Sequence, residues 1–263
     1  MDQSGVGADA GVPVALATRG VSVQFGGVRA LDDVTISIGR GEVCGLIGPN
    51  GAGKTTLFDV LSGVRSPKLG RIELHGEDVT DKSATWRARN GMRRTFQRQQ
   101  VFGGLTVEDN VLTALEWEGG GGGFLADMIA SPARRRRERN RRAQVRNVLS
   151  TFRVDSMRDD AAGTVPIGAA RELEVARAIV ARPSVLLLDE PTSGLDESER
   201  DRLGEIIQAE RSRGTAVVLV EHDVEFVMAQ CDRIVVLNLG EVIADDVPAE
   251  IRKNPAVLAA YLS

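Results

Sequence analysis

Apolar and polar positions alternate in the first third of the chain, whereas the last third contains continuous apolar runs. The segments "GVSVQF", "VTISI", "EVCGLIG" and "RIELHG" are predicted to be strands. After Thr164, the apolar runs "SVLLLD", "AVVLV", "RIVVLN" and "EVIAD" are interspersed with helical patterns, two of them at about 169–182 and 197–213. Strands that are apolar on both faces and alternate with helices indicate a buried parallel sheet, so the predicted fold class is α/β.

The middle of the chain, about residues 97–168, has helical periodicity interrupted by five glycines at 119–123. Ser131 is a predicted N-cap and Pro132 the first helical residue. Apolar side chains then recur at helical spacing and predict one buried stripe: Val145, Val148, Leu149 and Phe152.

Composition fits a single large domain, or one domain with a subdomain, because 263 residues with 42% hydrophobic content can bury a core. The two cysteines, Cys44 and Cys231, lack the spacing of metal ligands and fit a reduced, cytosolic protein. The sequence contains neither a candidate transmembrane helix nor a signal peptide. Residues 1–14 are predicted to be a flexible tail.

Charge is distributed unevenly. The segment Arg134–Arg142 holds seven arginines and one glutamate, which sum to +6; the chain has a net charge of −4, so the remainder sums to −10. One short basic run in an acidic protein is a weak signal for nucleic-acid binding. The arginines lie at the start of a helix, where positive charge opposes the helix dipole. A solvated helix face and a contact with a membrane or partner both remain open.

A phosphate-binding loop is the clearest motif. "GPNGAGKTT" follows an apolar strand, precedes a helical segment and satisfies G-x-x-x-x-G-K-[ST]. Backbone N–H groups of such a loop surround phosphate oxygens, a lysine bridges the β- and γ-phosphates, and a hydroxyl binds Mg²⁺. The predicted nucleotide-binding residues are Gly48, Pro49, Asn50, Gly51, Ala52, Gly53, Lys54, Thr55 and Thr56, with Lys54 also catalytic and Thr55 a metal ligand.

A second motif supplies carboxylates. The aliphatic strand in "SVLLLDE" ends in Asp189, a predicted ligand of the Mg²⁺ shell. Glu190 beside it is the candidate general base for the attacking water.

With the phosphate loop, "DEPTSGLD" and "EHD" make the chain resemble the ATPase subunit of an ABC transporter from about Leu16 to the C-terminus. The resemblance implies ATP and Mg²⁺ as cofactors. It also implies a P-loop NTPase (RecA-like) core with an antiparallel β subdomain at about 15–96 and 169–263. A helical subdomain is inserted at about 97–168, so the ATPase domain spans 15–263.

The resemblance assigns roles to single residues. Gln97 matches the glutamine that touches Mg²⁺ or the water and links to the membrane subunit. Asp196 matches an aspartate at the dimer interface, and His222 the histidine that contacts the γ-phosphate. Phe25 matches the aromatic residue that stacks on adenine, although an aromatic at a strand end is often a core residue.

The signature motif departs from the family pattern. Most members have L-S-G-G-Q where this chain has Val165 to Ala169. Gly168 is retained, so a backbone N–H at a helix N-terminus is expected to meet a γ-phosphate. Pro166 replaces the serine and Ala169 the glutamine, which predicts a weaker ATP site unless the difference is ordinary subfamily drift.

A narrower resemblance links the chain to ATPases of branched-chain (hydrophobic) amino-acid importers. It is carried by "RRTFQRQQVFGGLTVEDNVLTA", the glycine-containing insertion and "GEVIADDVPAEIRKNPAVLAAYLS". It implies two integral-membrane permeases, a second ATPase subunit (identical or different), and indirectly an extracytoplasmic solute-binding protein. The subunit is then peripheral on the cytoplasmic face of the membrane, and no nucleic-acid partner is expected. The alternative is the ATPase of an exporter, or a soluble ABC ATPase acting on nucleic acid or ribosomes.

Overall fold

The computed structural model describes residues 13–95, 101–115 and 132–262. Gln97 and Ser131 fall outside these ranges, as does the predicted tail up to residue 12. Within the described ranges, none of the helices combines the length and the apolar character needed to cross a membrane.

Ten strands form two sheets in the described part of the chain. In chain order the strands are β1 (Val14–Phe25), β2 (Val28–Gly39), β3 (Val43–Ile47), β4 (Leu69–Leu74), β5 (Glu77–Asp78), β6 (Met92–Arg94), β7 (Val185–Asp189), β8 (Ala216–Val220), β9 (Arg233–Asn238) and β10 (Glu241–Asp246). The first sheet is antiparallel with the order β2-β1-β4-β5. The four strands predicted from the first third of the chain are thus present, and β1 begins at Val14, inside the predicted tail.

The second sheet has the order β10-β9-β3-β8-β7-β6. Its strands β9, β3, β8, β7 and β6 are parallel, and every residue of β3, β7 and β8 is buried, as their continuous apolar character predicts. The expectation of a parallel sheet is wrong for β10, which pairs antiparallel with β9 at the half-buried edge. The short edge strand β6 was not predicted.

Helices cover both faces of the second sheet. They are α1 (Lys54–Ser62), α2 (Ala84–Arg89), α3 (Val107–Thr113), α4 (Pro132–Leu149), α5 (Ile167–Ile179), α6 (Glu197–Ser212), α7 (Val224–Gln230), α8 (Pro248–Ile251) and α9 (Pro255–Leu262). Two 3-10 helices, Arg153–Met157 and Ala162–Thr164, lie between α4 and α5. The buried apolar residues form two clusters, one between the sheets around α1 and one that includes the helical insertion.

The predicted stripe on α4 is largely confirmed. Val145 and Leu149 are fully buried and Val148 is half-buried. Phe152 is also buried, but it lies beyond the end of the helix and caps the first 3-10 helix. Among the described residues, the buried side chains of this helix lie in its C-terminal half.

A buried arginine closes the C-terminal end of α1. Arg87 of α2 is 1% exposed, and its Nη1 donates to the carbonyls of Val60 (2.7 Å) and Leu61 (2.6 Å). Its Nη2 donates to the carbonyls of Val79 (2.7 Å) and Thr80 (3.2 Å). Burial lowers the pKa of Arg87 to about 10, so the guanidinium remains charged at neutral pH.

Candidate nucleotide site

The candidate site lies at the carboxyl edge of the parallel sheet. Because β3, β6, β7 and β8 run in the same direction, the segments that follow them meet at this edge. These segments are the glycine loop after β3, Thr95 after β6, Glu190 after β7 and Glu221-His222 after β8.

The glycine loop has a backbone that only glycine allows. Gly48 has φ 151° and Gly53 φ 105°, both in the region that L side chains rarely adopt. A Cβ atom at Gly48 would overlap the carbonyl oxygen of Leu237, and one at Gly53 would lie 2.5 Å from the carbonyl oxygen of Ala30. The neighbouring strands β2 and β9 therefore fix the loop.

Lys54 is the first residue of α1 and points back into this loop. Its Nζ donates to the carbonyls of Gly48 (2.6 Å) and Pro49 (2.9 Å), and the side chain is buried. Burial lowers the pKa of Lys54, and the charge of Glu190 opposes that shift. The helix has no side-chain cap at Gly53 and no acidic residue in its first turn. Its N-terminus is therefore suited to an anion such as a phosphate.

Asp189 is held by an arginine that the sequence analysis missed. The carboxylate is 4% exposed, and Arg94 of β6 donates to its Oδ2 at 3.1 Å. Arg94 also donates to Asp59 Oδ1 of α1 at 2.7 Å, and thereby connects β7 to the helix behind the phosphate loop. Burial raises the pKa of Asp189, and the hydrogen bond and charge of Arg94 act against this rise. The only signal was the pair of arginines that precedes "TFQ".

Glu190 and His222 are brought together as a pair. Nε2 of His222 lies 2.9 Å from Oε1 of Glu190, although 32 residues separate them in the chain. Glu190 has φ 48°, an uncommon backbone conformation for a residue with a side chain. Its N–H donates to the Val220 carbonyl at 2.9 Å, which anchors this turn to β8. The two candidate catalytic residues are thus positioned by adjacent strands.

Glu221 is a second residue that sequence reasoning passed over, although "EHD" contains it. Its carboxylate is 5% exposed and accepts hydrogen bonds from the backbone N–H groups of Thr192 (2.7 Å) and His222 (3.1 Å). Burial raises its pKa, and these N–H groups counteract the rise. Glu221 connects the turn after Glu190 to His222, so we regard it as a positioning residue.

Phe25 is exposed at the end of β1 and is not a core residue. The guanidinium of Arg65 lies 4.3 Å from the centroid of its ring. Such a cation–π pair holds the ring in place while leaving it accessible, which suits stacking on a base. No motif in the sequence identified Arg65 as a residue of this site.

Asp196 and Gly168 both lie next to Glu199. Asp196 is the N-cap of α6: its Oδ1 accepts from the Glu199 N–H at 2.8 Å, and Glu199 Oε2 accepts from the Asp196 N–H at 2.8 Å. A methyl group added to Gly168 would lie 2.5 Å from Oε1 of Glu199. Among the described residues, no hydrogen bond of Gly168 or Asp196 reaches the glycine loop.

Comparisons with known proteins fit this geometry. The family model "ABC transporter" matches residues 31–193. The branched-chain amino-acid transport ATP-binding protein BraF of Pseudomonas aeruginosa is 39% identical over 94% of this chain and 97% of its own length. The chain belongs to the ABC transporter ATPases. LivG of Salmonella typhimurium, a high-affinity branched-chain amino-acid transport ATP-binding protein, is 37% identical over the same shares.

The fold of this ABC ATPase is equally well supported. The ADP conformation of MJ1267, an ATP-binding cassette of an ABC transporter, aligns with TM-score 0.80 and 26% identity, covering 95% of this chain and 99% of that one. The predicted P-loop NTPase core, antiparallel β subdomain and helical insertion are therefore confirmed as the fold class. The activity of the family is ATP binding and hydrolysis coupled to transport.

The two altered residues in the signature of this ABC ATPase provide no polar side chain. Pro166 is the N-cap of α5 and contributes no side-chain cap. Ala169 is 7% exposed and belongs to the core cluster around the helical insertion. The position where most family members have glutamine therefore holds a methyl group in the protein interior.

Proposed function

We propose that this ABC ATPase is the ATP-hydrolysing subunit of an importer for branched-chain or related hydrophobic amino acids or small amides. The observation that carries the proposal is the C-terminal segment 241–262, which matches the family "Branched-chain amino acid ATP-binding cassette transporter". The full-length likeness to BraF and LivG supports the same substrate class. An exporter ATPase or a soluble ABC ATPase acting on nucleic acid or ribosomes is not favoured by these relatives.

ATP is the substrate, and the residues of the glycine loop suit its phosphates. Backbone N–H groups of the loop between Gly48 and Thr56, apart from Pro49, which has none, surround the phosphates, and the Lys54 ammonium neutralises charge on the β- and γ-phosphates. The exposed ring of Phe25, held by Arg65, suits stacking on the adenine.

Mg²⁺ fits the oxygen donors available here. The hydroxyl of Thr55, which is exposed at the start of α1, and the carboxylate of Asp189 would hold the ion, with Gln97 as the further ligand implied by family resemblance. Hydroxyl and carboxylate oxygens are the ligands Mg²⁺ prefers, and the bound ion would neutralise phosphate charge.

Glu190 is the proposed general base. Its Oε1 can take a proton from a water that attacks the γ-phosphate, and His222 at 2.9 Å orients the carboxylate and contacts the phosphate. The Glu221 carboxylate accepts hydrogen bonds from the backbone N–H groups of His222 and Thr192 and thereby holds both segments in place. The chain thus provides a base, an orienting histidine and a lysine around one phosphate.

A second ATPase subunit completes the proposed site. Gly168 and Asp196 belong to the family's interface motifs, and in this chain they lie together around Glu199. We propose that two subunits close head to tail, so that Gly168 of each meets ATP on the other's glycine loop. Closure drives two permeases, which receive solute from an extracytoplasmic binding protein.

A groove of about 360 Å³ is the proposed permease contact. It lies between α2, β6 and α5, at the junction of the core and the helical insertion. Its charged lining is mostly basic: Arg89, Arg93, Arg94 and Arg177, with Glu174 the acidic member among the described lining residues. This placement would make the subunit peripheral on the cytoplasmic face of the membrane.

Glu190→Gln tests the catalytic assignment. The variant should bind ATP like the parent and lose at least about a hundredfold in hydrolysis, because the amide cannot accept the water's proton. Glu205→Gln, at an exposed position of α6, is the matched control and should hydrolyse at the parent rate. Near-parental hydrolysis by Glu190→Gln would reject Glu190 as the base.

The solute class needs a transport assay. The subunit, coexpressed with two permeases and a solute-binding protein of the proposed transporter, should support ATP-dependent uptake of radiolabelled leucine, isoleucine or valine. Uptake of an unrelated solute, with none of these taken up, would contradict the proposed substrate class and leave the ATPase assignment intact.

A further inference from the structure

The N-terminal half of α4 is rich in arginine. Arg135, Arg136, Arg137 and Arg139 are exposed, and the first fully buried residue of the described helix is Val145. In the described part of the chain, none of these four arginines forms an ion pair. We refer to these four residues as the arginine cluster.

Two arginines further along the helix, Arg142 and Arg146, have a structural role. Arg142 Nη1 lies 3.2 Å from Glu108 Oε1 and 3.3 Å from Asp109 Oδ1, and Arg146 Nε lies 3.4 Å from the same Glu108 oxygen. Glu108 is buried, so these contacts fasten the C-terminal half of α4 to α3. The arginine cluster lies beyond the reach of these acids.

Helical geometry puts three members of the cluster on one side. At about 100° per residue, Arg135, Arg136 and Arg139 fall within an arc of roughly 100°. Their like charges repel, and they lie near the positive end of the helix dipole. Among the described residues of this half of α4, Glu138 is the one acid, and its carboxylate pairs with Arg142. The cluster therefore suits a polyanion outside the chain.

We propose that the arginine cluster binds the anionic headgroups of the membrane on which the transporter works. The proposal builds on the proposed function, which places the subunit beside a bilayer. Charge distribution favours a bilayer over a nucleic acid: the chain outside Arg134–Arg142 carries −10, as −4 minus +6. A flat anionic surface can meet the exposed arginines of α4 while the acidic remainder stays in water.

The size of the effect follows from the number of arginines that reach the surface together. Each basic residue close to an anionic bilayer strengthens binding about fivefold. Two or three arginines on one side of the helix therefore strengthen it roughly 25- to 100-fold. Salt should weaken the binding, because these charges are exposed.

The test uses the purified full-length subunit and sedimentation with vesicles, either neutral phosphatidylcholine or a mixture with phosphatidylglycerol. The variant Arg135→Gln/Arg136→Gln/Arg137→Gln/Arg139→Gln should lose 25- to 100-fold in affinity for anionic vesicles. The charge-matched control changes four exposed basic residues elsewhere to glutamine: Arg19, Arg71, Arg213 and Lys253. The control should bind within about threefold of the parent.

Three outcomes would overturn the proposal: equal binding to neutral and anionic vesicles, an equal loss in the control, or unchanged vesicle binding by the cluster variant. If the cluster variant loses affinity for a polyuridine oligonucleotide but keeps its affinity for vesicles, the partner is a nucleic acid and the proposal is wrong. ATPase activity of the same preparations is measured separately. An inactive parent would count against the proposed catalytic function without affecting the vesicle result.

Discussion

Replacing Arg87 with methionine should destabilise the protein, because the guanidinium supplies donors to carbonyls that have few others. Val60 also accepts from the Gly63 N–H, and Val79 from the Lys82 N–H. For Leu61 and Thr80, no other donor is found among the described residues. The variant thus leaves the buried carbonyl of Leu61 and the half-buried carbonyl of Thr80 unpaired.

The magnitude follows from these two carbonyls. An unsatisfied buried acceptor costs about 1–3 kcal/mol, and methionine avoids the cost of burying a charge, so we expect a net loss of about 3 kcal/mol. For a chain of this size such a loss lowers Tm by roughly 6–12 °C. Arg87→Lys should fall between the parent and Arg87→Met, because an ammonium keeps the charge but has three donors instead of five.

Urea unfolding followed by tryptophan fluorescence provides the measurement, with Trp86 adjacent to the substituted residue. Arg89→Met, at an exposed position of the same helix, is the matched control and should change stability by less than about 0.5 kcal/mol. If Arg87→Met unfolds at the same urea concentration as the control, the carbonyl contacts do not stabilise the end of α1 and the reasoning is refuted.

Three further predictions concern α5 and its surroundings. Glu172 is buried, and its Oε1 has no hydrogen-bond partner among the described residues. Burial raises its pKa, so its contribution to stability is present below about pH 4.5 and lost as pH rises through the folded pKa. Glu172→Gln should be about 1 kcal/mol more stable at pH 7 and equal to the parent at pH 4, and parental stability at pH 7 would contradict this. Gly168→Ala should reduce ATPase activity through its clash with Glu199, and Gly168→Ala/Glu199→Ala should recover part of it; equal activity of both variants would exclude the clash as the cause. Pro166→Ser/Ala169→Gln should raise the ATPase activity of the assembled transporter severalfold, because it restores the hydroxyl and the amide of the family's signature. A melting curve and a matched Pro166→Ser single variant check that the buried position 169 accepts glutamine, and an unchanged rate in a double variant that melts like the parent would contradict the prediction.

The structural features that depend on a local sequence pattern could be predicted from the sequence. The buried strands β3, β7 and β8 were identified from continuous apolar runs, and the phosphate loop from its glycines and Lys54. The edge strand β6 is three residues long and carries two arginines, so neither length nor hydrophobicity marked it.

The residues whose roles could not be predicted from the sequence act through contacts between distant segments of the chain. Arg94 reaches Asp189 across 95 residues, and Glu199 lies against Gly168 from another helix. Side chains of ordinary type at ordinary positions acquire such roles only when the topology brings them together. Ala169 is a further case: its motif position indicated only that the family's glutamine is absent, and its place in the core became visible in the structure.

The contact between Gly168 and Glu199 also constrains how this protein can change over generations. A side chain at 168 would collide with a carboxylate that simultaneously caps α6. A larger residue at 168 therefore displaces the Glu199 side chain, and this displacement costs α6 its reciprocal cap. The two positions are thus coupled through the cap, and we expect the effect of a substitution at 168 to depend on which residue occupies 199.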